Sequence, residues 1–234
     1  MLRVVFLGND LHFLDILRNC NIALAGVYLP SGHYTSFKHF SPFLKLSPRF
    51  LKKIYKTEAL HIKLADYLDS HRIKKLHASN VNSNEFLKTL KRLKPDLGII
   101  ANFGQILNNR LLSIPCHGFI NYHPSLLPKY RGPNPLPEIL INGETYSGVT
   151  WHLVTEKIDQ GDILAQEKFK IKLKDTIEDL QKKSFSIAGE LLYRLFDEFE
   201  EGTVNKIPQN EAEATYCSKM TKEKRDKLRN MRKL

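Results

Sequence analysis

Short apolar runs alternate along the chain with stretches in which apolar residues recur every three or four positions. The run Arg3–Leu7 has strand-forming composition, and Gly8 and Asn9 after it suit a turn before a helical spacing begins. A second apolar run over residues 22–28 completes a strand, helix, strand unit. Units of this kind predict a parallel sheet.

The alternation continues to about residue 200. We therefore expect an α/β fold, a Rossmann-like and mostly parallel sheet with helices on both faces and a short C-terminal extension. The composition turns polar beyond Gly202, which predicts one domain over residues 1–204 and a short basic tail over 205–234. Between Leu29 and Lys56 the periodicity is lost, which predicts a long loop. Further strands are predicted at 73–77, 96–101, 118–123, 149–154 and 163–171, and helices from Thr57, at 82–93 and at 176–200.

Composition narrows the class of protein. A length of 234 residues with 42% hydrophobic content suits one large domain with a buried core. We find neither a leader pattern nor a long apolar run, so we expect a cytoplasmic protein with no membrane partner. The cysteines Cys20, Cys116 and Cys217 are scattered without paired spacing, so we predict neither disulfides nor a metal site.

The formal charge of +11 is concentrated in two segments. Residues 38–56 hold six basic residues and no acid, and residues 217–234 hold eight basic residues and two acids. Such runs attract the phosphates of a nucleotide or an RNA, although a solvated surface is the more common explanation. The first βα turn, LGNDLHF, has one glycine and matches neither a dinucleotide fingerprint nor a P-loop.

The strand over 118–123 carries the candidate chemistry. Side chains alternate along a strand, so Asn121 and His123 should project from the same face. Pro124 has no amide proton and should end the sheet ladder, which leaves His123 at a strand end. Ligands bind at such ends in α/β sheets, so the amide and the imidazole can reach one small ligand together.

Two segments in this region resemble the folate-dependent formyltransferases. They are NYHPSLLPKYRGPNP from Asn121, and SGVTWHLVTEKIDQGDIL from Ser147, with the turn NGE between them. ANFGQIL before them and EATYCSKMTKEK near the end extend the similarity. The resemblance implies an enzyme that moves a formyl group from 10-formyltetrahydrofolate, as co-substrate, to an amine, with residues 1–204 as its catalytic domain.

The resemblance also implies roles for individual residues. Asn121, His123 and Asp159 become the catalytic residues, with Asn121 and a protonated His123 holding an oxyanion and Asp159 keeping His123 charged. His152 is a plausible neighbour, with a packed or surface histidine as the alternative. No metal is implied. The folate site matches a loop of Phe103, Gly104, Gln105, Ile106 and Leu107, and a second wall that includes Ile158 and Asp162.

Lys129, Arg131 and Gly132 follow the SLLP segment. They could present cations or bare backbone to an anionic ligand, and simple solvation is the alternative.

The amine acceptor has two candidates. The favoured one is the amino group of a nucleotide-linked amino deoxysugar, used for surface polysaccharides such as O-antigen, because GPNP and NGE are similar to that group. The alternative is an enzyme like methionyl-tRNA formyltransferase without the usual C-terminal tRNA-binding domain. The glycinamide ribonucleotide branch is disfavoured, because LGNDLHF departs from its phosphate loop. A non-catalytic protein that binds folate or RNA is a third possibility. The protein could also form a homodimer.

Overall fold

A seven-stranded sheet with the order β3-β2-β1-β4-β5-β6-β7 forms the centre of the molecule. The computed structural model describes residues 1–8, 11–30, 63–218 and 220–231. Strands β1 to β5 are parallel, and β6 and β7 join antiparallel. The mostly parallel α/β prediction is confirmed. The strands are β1 Arg3–Gly8, β2 Ala23–Pro30, β3 Lys75–Ala78, β4 Leu97–Ala101, β5 Phe119–His123, β6 Tyr146–Leu153 and β7 Ile163–Lys170.

The helices begin where the sequence supplies caps. The Ser83 hydroxyl accepts a hydrogen bond from the Phe86 amide at the start of α3, and Thr176 forms a capping box with Asp179 at the start of α6. Pro135 stands at the first position of α5, where a missing amide proton costs nothing. The helices are α1 Leu11–Asn19, α2 over the described residues 63–70, α3 Asn84–Leu93, α4 Asn109–Leu112, α5 Pro135–Ile141, α6 Ile177–Glu201 and α7 Lys222–Met231.

Two apolar cores lie on opposite faces of the sheet. In β1, Val4 and Phe6 belong to one core, and Val5 and Leu7 to the other, as the alternation of strand side chains requires. The first core packs against α1, α2 and α6, and the second against α3 and α4. Helices therefore cover both faces of the sheet, as predicted.

The structure adds elements that the periodicity did not predict. Helices α4, α5 and α7 are short or polar, and α5 lies in a proline-rich segment whose apolar period is brief. Strand β2 runs to Pro30, two residues past its predicted end. The remainder of the predicted loop and the predicted start of a helix at Thr57 fall within residues 31–62, outside the described residues.

The segment after α6 returns to the sheet. Ile207 exchanges two backbone hydrogen bonds with Ile163 at the start of β7, each 2.9 Å long. Helix α7 is tied to α5 by an ion pair between Lys224 Nζ and Glu138 Oε1 at 2.5 Å. The predicted boundary between residues 204 and 205 stays a prediction, and these contacts cross it. In the part of the chain that the structure describes, no helix is long and apolar enough to cross a membrane.

Candidate active site

The antiparallel pairing of β5 with β6 builds the base of the site. Asn121 and His123 lie two residues apart on β5, which ends at His123 as the following proline predicts. The register places His152 of β6 directly opposite Asn121. The Asn121 side-chain nitrogen Nδ2 lies 3.1 Å from His152 Nε2. An amide and two buried imidazoles therefore share one face at the carboxyl end of β5.

Asp159 reaches this group from the turn that connects β6 to β7. Its Oδ1 lies 3.4 Å from Asn121 Nδ2 and 3.4 Å from His152 Nε2, and its Oδ2 lies 3.6 Å from His123 Nδ1. The Gly132 amide donates a hydrogen bond of 2.7 Å to Oδ2. The structure thus brings together the three residues predicted to be catalytic, and their roles stay a prediction.

The pKa values of Asp159 and His123 are both lowered, but for opposite reasons. Burial tends to raise the pKa of Asp159, but the His152 hydrogen bond, the charges of His123 and His152, and the Gly132 amide lower it to about 2. Burial lowers the pKa of His123, and the opposing influence of Asp159 does not overcome it. Desolvation of the imidazole is the larger effect, so the resting site favours the neutral form over the protonated form that we expected. The charge that His123 carries in the reaction stays a prediction.

The tautomer of neutral His123 follows from its partner. His123 Nε2 lies 2.8 Å from the Tyr130 carbonyl oxygen. A carbonyl only accepts hydrogen bonds, so Nε2 carries the proton, and Nδ1, on the side of Asp159, is the nitrogen that titrates.

A cavity of about 520 Å³ opens above these residues. Phe103, Gly104, Gln105, Ile106 and Leu107, the loop after β4, line one wall. That this loop binds folate stays a prediction. The Ile158 side chain, 52% exposed, lines the cavity together with Asp159, and Ile106 is 61% exposed. Asp162 is not among the lining residues, and its carbonyl accepts a hydrogen bond from the Leu153 amide. Its assignment to the folate site therefore remains a prediction from resemblance alone.

The surroundings of two residues, for which the sequence left alternatives open, are defined by the structure. His152 is 2% exposed and lies inside the site, and its position seven residues before Asp159 was the available signal. Arg131 is fully buried and pairs with Glu211, so both sequence interpretations, a cation for a ligand and a solvated side chain, are wrong. No group of three or more metal-ligating side chains occurs within the described residues.

The carboxylate of Asp159 should make stability depend on pH. Its folded pKa, about 2, lies below the ordinary 3.8, so its contribution of about 2 kcal/mol is present above the ordinary value and is lost as pH falls toward 2. The quantity to compare is the difference in free energy of unfolding between wild type and Asp159→Asn. We expect this difference to be about 1 kcal/mol smaller at about pH 3 than at about pH 5. Urea unfolding at both pH values measures it, and a constant difference would contradict the lowered pKa.

The sequence of this chain matches a known protein family. A sequence profile described as Formyl transferase matches residues 53–195, more than half of the chain. The chain belongs to the formyl transferase family. The family predicted from the motifs is thereby confirmed.

Two curated relatives of this chain are methionyl-tRNA formyltransferases. The methionyl-tRNA formyltransferase of Macrococcus caseolyticus is 43% identical over 145 residues, which cover 62% of this chain and 46% of that protein. The methionyl-tRNA formyltransferase of Halothermothrix orenii is 38% identical over 148 residues, 63% of this chain and 47% of that protein. The chain thus spans about half the length of the curated relatives that it matches.

Solved structures share the fold at lower identity. A sugar N-formyltransferase from Shewanella superposes with a TM-score of 0.67 at 18% identity, over 99% of this chain and 88% of that one. An N-formyltransferase from Helicobacter canadensis, solved with folinic acid and dTDP-3-aminofucose, has a TM-score of 0.63 at 23% identity, over 94% of this chain and 71% of that one. These two similarities establish the α/β architecture.

Proposed function

We propose that this protein transfers a formyl group from 10-formyltetrahydrofolate to a primary amine. The observation that carries the proposal is the convergence of Asn121, His123 and Asp159 at the base of one cavity. An amide donor, a neutral imidazole and an ionised carboxylate supply what acyl transfer to an amine requires: oxyanion stabilisation and controlled movement of protons.

The step assigns one task to each side chain. The amine nitrogen bonds to the formyl carbon, and Asn121 Nδ2 donates a hydrogen bond to the resulting oxyanion. Neutral His123 accepts the proton of the attacking nitrogen at Nδ1, and Asp159, 3.6 Å away, stabilises the imidazolium that forms. The bond from the formyl carbon to the folate nitrogen then breaks, and His123 returns the proton to that nitrogen. The products are the formylated amine and tetrahydrofolate.

The cavity suits a reduced folate as the formyl donor. Its volume of about 520 Å³ falls in the range of about 300–1,000 Å³ that small-molecule sites occupy. The exposed side chains of Ile106 and Ile158 offer apolar surface for a flat ring, and the loop of residues 103–107 offers backbone groups beside it. We assign the donor to the space between this loop and the turn at Asp159.

Two acceptors remain candidates. The segments GPNP and NGE support a nucleotide-linked amino deoxysugar, which is the acceptor that the sequence predicts. Identities of 38–43% with methionyl-tRNA formyltransferases favour methionyl-tRNA, because no comparable identity links the chain to the sugar enzymes in the solved structures cited above. Cytoplasmic location and a homodimer stay predictions.

A two-arm transfer assay tests the function and separates the acceptors. Labelled 10-formyltetrahydrofolate is offered with nucleotide-linked 3-amino and 4-amino deoxysugars in one arm, and with charged initiator tRNA in the other. We expect formylation in one arm, and for tRNA a KM that rises with salt because phosphate contacts are screened. Label in neither arm, together with no folate binding by calorimetry, would contradict the proposal.

A further inference from the structure

The tripeptide Tyr130–Arg131–Gly132 contacts two residues of the site, His123 and Asp159. The Tyr130 carbonyl accepts a hydrogen bond of 2.8 Å from His123 Nε2, and the Gly132 amide donates one of 2.7 Å to Asp159 Oδ2. Arg131 lies between these two backbone contacts, and its side chain is fully buried. A single short segment thereby links the strand end that carries His123 to the turn that carries Asp159.

Arg131 donates all its side-chain hydrogen bonds to the segment after α6. Its Nε and Nη2 donate to Gln209 Oε1 at 3.0 and 2.8 Å. Nη1 and Nη2 donate to the two carboxylate oxygens of Glu211 at 2.8 and 2.7 Å, and Nη1 also donates to the Tyr216 hydroxyl at 3.0 Å. Every N–H of the guanidinium has a partner, so Arg131 has no donor left for a ligand.

Gln209 connects Arg131 to the turn at Asp159. Since a guanidinium can only donate, Gln209 must direct its oxygen at Arg131, which fixes the side-chain amide in one orientation. Its Nε2 then donates to the carbonyl oxygens of Asp159 and Gly161 at 2.9 and 2.7 Å. The arginine therefore holds the backbone of the turn through the side chain of the glutamine.

The turn needs such support because its backbone is strained. Asp159 has φ = 53°, in the left-handed region, which residues with a Cβ adopt at a cost and keep only when their surroundings hold them. Gly161 is confined as well, because a Cβ there would lie 1.8 Å from the Leu153 carbonyl oxygen. The neighbouring Gln160 is tied down too, since its Nε2 donates to the Tyr216 hydroxyl at 3.1 Å.

The geometry points to Arg131 and Gln209 as positioning residues that hold the Asp159 turn against His123, which makes the segment over residues 207–217 a working part of the site. The inference rests on the proposed role of Asp159 in formyl transfer. If the contacts of Arg131 and Gln209 served stability alone, their removal would lower the midpoint of unfolding. It would leave the turnover of the folded enzyme and the titration of His123 unchanged.

Two substitutions at Gln209 separate positioning from stability. Gln209→Glu keeps the length of the side chain and an acceptor for Arg131, but it loses the amide protons that hold the Asp159 and Gly161 carbonyls. Gln209→Ala removes the side chain without adding charge. Because a misplacement of about 1 Å can cost about 100-fold in rate, we expect kcat to fall by about 10- to 100-fold in both, with a smaller change in KM for the folate. Lys206→Ala, an exposed change just before this segment, is the control and should keep wild-type kcat.

A titration that needs no acceptor keeps this inference separate from the proposed reaction. NMR of histidine-labelled protein follows His123, whose pKa is lowered by burial and by His152 and raised by Asp159 and by the Tyr130 carbonyl. In Gln209→Ala we expect the pKa of His123 to fall further, because Asp159 is no longer held beside it. This shift would support positioning even if the wild type formylated neither acceptor, a result that would count against the proposed function alone.

The opposite results would overturn the inference. Wild-type kcat in both Gln209 variants, with an unchanged His123 titration, would show that the turn at Asp159 keeps its position without Gln209. A lower midpoint of thermal unfolding, with wild-type kcat and a wild-type His123 titration, would show that these contacts serve stability only.

Discussion

Replacing His123 by glutamine should lower the rate of formyl transfer by about 10²- to 10⁴-fold at neutral pH. Glutamine keeps a polar side chain that can donate to the Tyr130 carbonyl, but it cannot take up the proton of the attacking amine and return it to the folate nitrogen. The loss should fall on kcat, because the imidazole acts on the reacting atoms. Steady-state transfer of labelled formyl to the acceptor identified above measures it.

The pH profile and a matched variant sharpen this test. Wild-type activity needs neutral His123, so it should fall as pH drops through a pKa that lies below the ordinary 6.5. The same substitution at an exposed histidine, His77→Gln on β3, should leave kcat unchanged. Activity of His123→Gln within a few-fold of wild type would exclude the imidazole from the proton transfers.

Replacing Asn121 by alanine should lower kcat by about 10²- to 10³-fold, which is the usual cost of removing one oxyanion donor. In the resting site Asn121 Nδ2 contacts His152 and Asp159, and in the reaction it turns its donor to the oxyanion. The affinity for the folate should change little, because the contact strengthens only as the oxyanion forms. Single-turnover rates together with folate binding by calorimetry separate the two effects.

Asn205→Ala, an exposed asparagine after α6, controls for the substitution itself. It should retain the wild-type single-turnover rate. An unchanged rate in Asn121→Ala, with the wild-type midpoint of unfolding, would remove the amide from the oxyanion site.

Strand periodicity predicted the part of the site that lies within one element. Asn121 and His123 sit two residues apart on β5, and alternation alone places them on one face. His152 joins them only through the antiparallel register of β5 and β6, which depends on how the strands pair in space. Asp159 lies 38 residues from Asn121, and only the resemblance to a family connected the two.

Arg131 and the segment around Gln209 were beyond prediction for a different reason. A lone arginine in a polar stretch is usually solvated, and its glutamine and carboxylate partners lie 78 and 80 residues further along the chain. Helix α5 was missed because prolines normally mark loops, although proline is favoured at a helix start. The lowered pKa of His123 also escaped the sequence, since the burial that lowers it is a property of the folded chain.

A double-mutant cycle on His123 and Asp159, 3.6 Å apart, tests most directly whether the side chains that meet in this site act together. Single-turnover rates are measured for wild type, Asp159→Asn, His123→Gln and the double variant, each with its folate affinity. Asp159 acts by stabilising the imidazolium of His123, and groups that work as one unit lose little more together than the worse of them loses alone, so the double variant should be within about tenfold of the slower single variant. Rate losses that multiply in the double variant would mean that the two side chains act independently, and would contradict the account.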